Sequence, residues 1–236
     1  QLGHNLMDHH FRIGASGDWE GGADKYYIGR RANGIYIPRY RNIGNDKRDY
    51  LRGFGYQGGG SRKNWGRKNG DLSFGAEMKE ELTKPGEWSM NLGGFGECLP
   101  YYENKMSLHK TEKDKWGMPL QVFDVEFKEN ERKMRIDMMN DAKEMLEAAG
   151  LKNIRSFDGK SYPGMAIHEM GTARMGRDPK TSVLNGYNQI HAVPNVFVTD
   201  GSCMTSASCV NPSLTYMALT ARAADFAVKE LKKKNL

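Results

Sequence analysis

Over residues 129–149 the apolar side chains return at helical intervals, with Met134, Met138, Ala142, Met145 and Leu146 along one stripe and polar residues between them. That spacing predicts an amphipathic helix covering a sheet, with Gly150 as its stop. Upstream the period shortens. Residues 121–127 alternate Val122, Asp124 and Glu126 against Phe123, Val125 and Phe127, and 87–96 and 105–108 also read as strands. Tyr26-Tyr27-Ile28 and Ile35-Tyr36-Ile37 flank Asn33-Gly34, whose tolerance of positive φ predicts a hairpin, and Pro38 marks a strand end or an edge. Residues 42–70 are polar and rich in glycine, which predicts a long exposed loop with at most one strand, near 51–56. Further on, the apolar run 195–199 fits a buried strand ending at Asp200-Gly201. Residues 214–231 predict a helix with an alanine-rich face suited to close packing on a sheet. Strands followed by a long helix predict the α+β class.

Gly53-Phe54-Gly55-Tyr56-Gln57-Gly58 fits the bare GxGxxG pattern, yet a dinucleotide fingerprint needs an apolar strand before it and a helix after it. Here Lys47-Arg48-Asp49-Tyr50 precede it and Gly59-Gly60-Ser61-Arg62-Lys63 follow, so it is expected to be a loop or strand end.

At 236 residues the chain is long enough for one large domain or two smaller pieces, and 38% hydrophobic residues with 28 glycines suit a loop-rich globular enzyme. No apolar run approaches the roughly 18 residues of a membrane span, and no signal peptide is visible. The net charge of +6 changes the picture little. Arg30, Arg31, Arg39, Arg41, Arg62, Lys63, Arg67 and Lys68 mix with aromatic residues but fall in predicted hairpins and loops without a nucleic-acid motif. They predict a solvated basic surface, or a docking face for an acidic electron-accepting partner, and not nucleic acid. Cys98, Cys203 and Cys209 have neither metal-ligand spacing nor a disulfide pattern and are expected to be buried thiols; no metal is expected at His9-His10 either.

The candidate chemistry lies in His168-Glu169-Met170-Gly171-Thr172-Ala173-Arg174-Met175-Gly176, followed by Asp200-Gly201-Ser202 and Asn211-Pro212-Ser213-Leu214-Thr215. A neutral imidazole, with a reference pKa of about 6.5, suits the removal of a hydroxyl proton. A downstream amide can hold the substrate oxygen but cannot take the proton. Asn211-Pro212 also reads as a helix N-cap with proline in the first turn, and both readings stand at this point.

This order of motifs resembles the C-terminal segment of the glucose-methanol-choline family of flavin oxidoreductases. Leu2-Gly3-His4-Asn5-Leu6-Met7-Asp8-His9 also resembles a Leu-Gly-x-Asn-Leu-x-Asp-His stretch deep inside full-length members. The resemblance implies FAD as cofactor, His168 as base and Asn211 as its substrate-positioning partner. It places Asp200 and Gly201 against the ribityl and diphosphate part of the cofactor, and Pro212 and Ser213 at a helix start facing the flavin's pyrimidine ring. It implies an antiparallel-sheet substrate domain over 11–165, and parts of a Rossmann-like FAD-binding domain at 1–10 and 166–236. The chain is then expected to begin in mid-protein and, alone, to bind FAD weakly. Asn185 stands where the family usually has an aspartate, which weakens any charge-based role there.

Asn211 as the partner, with Phe123-Asp124 after Trp116-Gly117-Met118-Pro119, makes the chain similar to the sugar-oxidising branches, such as pyranose oxidases and glucoside or gluconate dehydrogenases. The function this implies is oxidation of a sugar or polyol CH–OH group by hydride transfer to FAD, with an electron-accepting protein or subunit as a possible partner. Trp19, Tyr26, Tyr36, Trp65, Tyr101 and Tyr102 are candidates to line a sugar site. Two alternatives remain at this level: a non-catalytic carbohydrate-binding or assembly module of the same fold, and a flavin-dependent lyase of the same family.

Overall fold

The computed structural model describes residues 1–25, 34–63 and 74–236. The chain is α+β. Five strands form one antiparallel sheet in the order β2-β3-β4-β1-β7: β1 (His10–Trp19), β2 (Gly34–Ile37), β3 (Phe54–Arg62), β4 (Trp88–Gly96) and β7 (Lys152–Asp158). A short helix, α1 (Ala76–Thr83), precedes β4, and a hairpin of β5 (Lys105–Lys113) and β6 (Pro119–Asp124) stands apart from the sheet. Helix α2 (Glu129–Ala148) crosses one face of the sheet. Strands β8 (Gln189–Ile190) and β9 (Val193–Phe197), a one-turn 3-10 helix at Gly201–Cys203, and α3 (Ser213–Lys232) complete the chain.

The predicted helical stripe is the core. Met134, Met138, Ala142 and Leu146 are fully buried against Ile13, Ala15, Phe54, Tyr56 and Leu92 of the sheet, and Met145 is packed at the margin. Shortening a methionine of this stripe to alanine would cost about 2–5 kcal/mol. The helix begins where the buried Glu131 carboxylate accepts the Lys128 backbone N–H (2.9 Å) and the Leu99 N–H (3.1 Å). It ends in a Schellman turn: Gly150, at φ 85°, donates to Glu147 (2.9 Å) and Leu151 to Leu146 (3.1 Å).

Several expectations are corrected. Residues 54–62 form a strand and not part of a long exposed loop, because Phe54 and Tyr56 fill the core while the chain pairs with β4 from Phe54↔Gly96 to Arg62↔Trp88. The preceding stretch is pinned to α2, with Arg41 Nε and Nη2 both bonded to Asp141 (2.7 and 2.6 Å) and Tyr50 Oη bonded to Asp137 (2.9 Å). The GxGxxG pattern, as expected, opens no helix directly: residues 54–58 are the first part of β3, which continues as strand to Arg62. Strand β6 stops at Asp124, and Phe127 leaves it to pack on a second cluster of Met7, Cys98, Met170 and Ala207. Strand β9 is exposed, not buried, since β8 and β9 form only a two-stranded hairpin. In α3 only Ala223 is buried, whereas Leu214, Met217, Val228 and Leu231 are exposed. Phe226 ties this helix to the hairpin region, stacking on Tyr187 at 4.1 Å and meeting Phe197 edge-on at 6.3 Å, and Leu219 packs in one cluster with Ile190. The first strand of the predicted hairpin, at 26–28, lies outside the described residues, and its second is β2. No described helix is long and apolar enough to cross a membrane.

One core residue is out of character. His10 is wholly buried, neither ring nitrogen makes a well-formed hydrogen bond among the described residues, and its ring occupies the space where a side chain at Gly96 would project. Burial, helped by the nearby Arg135 guanidinium, pushes its pKa down to about 3. The unfolded chain takes up a proton here near pH 6.5 and the folded chain does not, so stability falls as pH drops from about 6.5 towards 3. By pH 5 this residue accounts for about 2 kcal/mol of that loss. Urea denaturation at pH 7 and pH 5 should therefore show His10→Leu gaining on the wild type by about that amount as the pH is lowered. An unchanged difference would mean that the imidazole is protonated inside the fold.

Candidate active site

Residues 3–7 run between two other segments. Gly3 N–H donates to Thr172 (2.7 Å), Leu6 N–H to Asn104 (2.9 Å), and Met7 exchanges backbone bonds with Met170 (2.8 and 3.0 Å). Gly171, at φ 99°, allows this approach, because a Cβ there would lie 2.2 Å from the Asn5 carbonyl oxygen.

At the end of that strip the Asp8 carboxylate is 1% exposed and accepts four backbone N–H groups. Oδ1 takes those of His9 (2.8 Å) and His168 (3.3 Å), and Oδ2 those of Gly164 (2.7 Å) and Ala166 (3.2 Å). A buried charge is tolerable only when hydrogen-bonded in this way. Between the two clamped amides Ile167 sits at φ 56° with its side chain 80% exposed. The left-handed conformation costs a β-branched residue on the order of 1–2 kcal/mol, and it persists because Asp8 fixes the residues on either side.

The clamp sets the His168 ring, which is half-buried, between two partners. Its Nδ1 lies 2.9 Å from Nδ1 of His9, the rings meeting edge-to-face at 82°. Its Nε2 lies 3.4 Å from Nδ2 of Asn211, whose Oδ1 accepts from Gln57 Nε2 of β3 at 2.9 Å. Asn211 therefore spans the base candidate and the sheet, and α3 has no side-chain cap at its start. The contacts of the Asn211 side chain are thus to Gln57 and His168, and Pro212 stands at the N-cap position of α3.

His9 is fully buried, and its Nε2 faces the carbonyls of Ala207 (3.1 Å) and Ser208 (3.0 Å). Burial lowers its pKa, which favours the neutral ring. Nothing in the pairing of residues 9 and 168 is legible from their separation in sequence. Asp8 and His9 are visible only as the end of the opening motif, and Gln57 only as the polar residue inside the glycine-rich stretch.

The other predicted residues are more dispersed. Asp200 caps the 3-10 turn, Oδ1 accepting from Ser202 N–H at 2.8 Å, and is exposed. Gly201 is buried where a Cβ would lie 2.7 Å from the Glu169 carbonyl oxygen, so its close approach is to the His168 segment. Pro212 is buried, and the exposed Ser213 places its hydroxyl 3.1 Å from that of Tyr216. Asn185 shapes a turn, accepting from Tyr187 N–H at 2.8 Å and donating to Gln189 Oε1 at 2.7 Å. Tyr101 binds Glu131 (3.1 Å) and Tyr102 stacks on His4 (4.0 Å), which assigns both to packing; Trp19 and Tyr36 are exposed, and Tyr26 and Trp65 lie outside the described residues. The three cysteines are buried, and among the described residues no group of three metal-binding side chains converges.

An imidazole and an amide thus lie side by side, tied to an antiparallel sheet on an α+β scaffold. Residues 100–220 match the family model described as GMC oxidoreductase, and the chain belongs to that family. It is 38% identical over 135 residues to a 2-methyl-1,2-propanediol dehydrogenase of Mycolicibacterium austroafricanum, covering 56% of this chain and 24% of that protein. It is 29% identical over 159 residues to the gluconate 2-dehydrogenase flavoprotein of Pantoea cypripedii (64% and 26% covered). To the pyranose 2-oxidase of Tricholoma matsutake it is 30% identical over 151 residues (60% and 27%). The chain thus aligns with about a quarter of the length of these relatives.

The carboxylate clamp is testable. In Asp8→Asn one side of the amide presents N–H groups to two backbone N–H donors, whichever way it turns, and the loss should be about 2–6 kcal/mol in urea denaturation. A loss below about 1 kcal/mol would show that the charge is not what holds residues 164–168.

Proposed function

We propose that this chain carries the proton-handling part of a flavin-dependent oxidoreductase that oxidises a CH–OH group of a sugar or polyol. The observation that supports this most is the Asn211 side chain, which bridges Gln57 and His168 where a cap would have turned it towards its own helix. In this reading His168 Nε2 takes the hydroxyl proton, and Asn211 Nδ2 holds the substrate oxygen beside it.

A polyhydroxylated substrate suits the sheet face on which Gln57 lies. Side chains alternate between faces, so Gln57 and Ser61 share a face with Ser89 and Asn91 across the β3–β4 ladder, and with Ser16 and Asp18 of β1. A cavity of about 350 Å³ opens there, lined by Ser16, Asp18, Ser61, Ser89, Asn91 and Arg155. Hydroxyl, amide and charged side chains together can both donate to and accept from sugar hydroxyls. The names of the relatives, a propanediol dehydrogenase, a gluconate dehydrogenase and a pyranose oxidase, lend support to this substrate class.

The residues present fit FAD. The uncapped start of α3, next to Asn211, offers backbone donors and the positive end of the helix dipole at Pro212 and Ser213, which suits the acceptor-rich edge of a flavin. Asp200 and Gly201 are proposed to lie along its ribityl–diphosphate part. FAD, when bound, supplies the hydride acceptor. Residues 1–10 and 166–236, joined by the Met7–Met170 bonds, are proposed to form the cofactor side and 11–165 the substrate side. An electron-accepting protein or subunit is proposed to use the basic surface.

In the flavin-loaded enzyme His168→Ala should leave the flavin spectrum intact and slow its reduction by substrate roughly 10²- to 10⁴-fold in stopped flow. Unchanged reduction would remove His168 from the chemistry. Asn211→Asp keeps the size and can still accept from Gln57, but sets a carboxylate against His168 Nε2, where it attracts the very proton the base must be free to take. Turnover should fall at least about tenfold while thermal stability holds. A variant within about threefold of wild type would reduce Asn211 to a structural residue.

A further inference from the structure

The contacts of His9 determine where the protons lie in the pair of imidazoles. A carbonyl oxygen can only accept, so the Ala207 and Ser208 carbonyls require that His9 Nε2 carries its proton. A neutral imidazole has a single N–H, and His9 Nδ1 is therefore a bare acceptor. What faces it at 2.9 Å is His168 Nδ1, which must donate. A neutral His168 with its proton on Nδ1 presents an unprotonated Nε2 on the Asn211 side.

We propose that His9 is a positioning residue that fixes the tautomer and the ring plane of His168 so that Nε2 is always the free base. The inference rests on the reading of His168 as the base that takes the substrate proton. With the hydroxyl proton on Nε2, the Nδ1–H bond to His9 would persist in the resulting imidazolium; bound FAD would supply the acceptor for the hydride that balances the step. Burial supports the assignment by favouring the neutral His9 ring. Its partner is thus an uncharged acceptor that orients His168 without setting a negative charge against its ring. The carboxylate of Asp8, next to His9, is occupied by backbone amides. Phe95 closes the remaining side of His9 edge-on at 6.1 Å, and Ser208, at φ 61°, holds one of the two accepting carbonyls in a left-handed turn.

The test is 15N NMR of the histidine-labelled holoprotein at neutral pH, joined to stopped-flow reduction. In the wild type His168 should show a protonated Nδ1 and a bare Nε2, and His9 the reverse. His9→Leu removes the acceptor, and should populate the other His168 tautomer and slow flavin reduction roughly 2- to 13-fold with substrate affinity little changed, the equivalent of one neutral hydrogen bond. His9→Asn, whose side-chain oxygen falls near the position of Nδ1, should restore the tautomer and most of the rate. A wild-type His168 protonated at Nε2 overturns the proposal, and so does a His9→Leu variant with unaltered tautomer and rate. If His9→Leu does not fold, the wild-type spectrum and His9→Asn still decide. Should His168→Ala reduce flavin normally while the spectrum is as described, the base reading fails and the assignment of the tautomer to His9 stands.

Discussion

A single buried carboxylate organises the site. Asp8 accepts four amides drawn from two stretches of chain, its own neighbour His9 and the turn formed by Gly164, Ala166 and His168. A carboxylate out of water must have its lone pairs satisfied. Meeting that requirement here curls residues 164–168 around one point, forces Ile167 into a left-handed conformation and delivers the His168 ring to His9. The backbone ladder between Met7 and Met170 continues the same seam into the second apolar cluster.

The fold was legible where one periodicity acted alone. Helix α2 announced itself because Met134, Met138, Ala142 and Leu146 recur every four residues and Gly150 stops them; the structure buries all four. Strand β3 was legible only as a possible strand near 51–56 and not in its full length, since glycines with no side chain to pack dilute its alternation, and it is held by its long register with β4. The exposure of β9 and of most of α3 was also beyond the sequence, because an apolar stripe states a preference for cover without stating what provides it.

For the site the limit was of another kind. His168 and Asn211 stood out through their motifs, and the structure sets them 3.4 Å apart. Gln57 and His9 did not, because each acts through hydrogen bonds that cross from one element to another: β3 to the start of α3, and the strip near residue 8 to the turn at 168. A neutral glutamine among glycines and a histidine at the end of a motif carry no local mark of such a bond. Asn211 shows the converse, since its position before a proline at a helix start fits a cap, while its side chain bonds to Gln57 and His168, contacts that no local pattern signals.

In the proposed function, the Gln57–Asn211 bond ties recognition to reactivity. Gln57 belongs to the open face of the sheet, and Asn211 stands against the His168 ring nitrogen. In that reading, a substitution at position 57 that reshapes the sheet face also releases one end of the amide, so its effects on selectivity and on rate are pleiotropic and not separable. Ser16 and Asn91, on the same face but outside the bonds of the pair, carry no such burden. Selectivity can then be retuned at those outlying positions with the least disturbance to the pair.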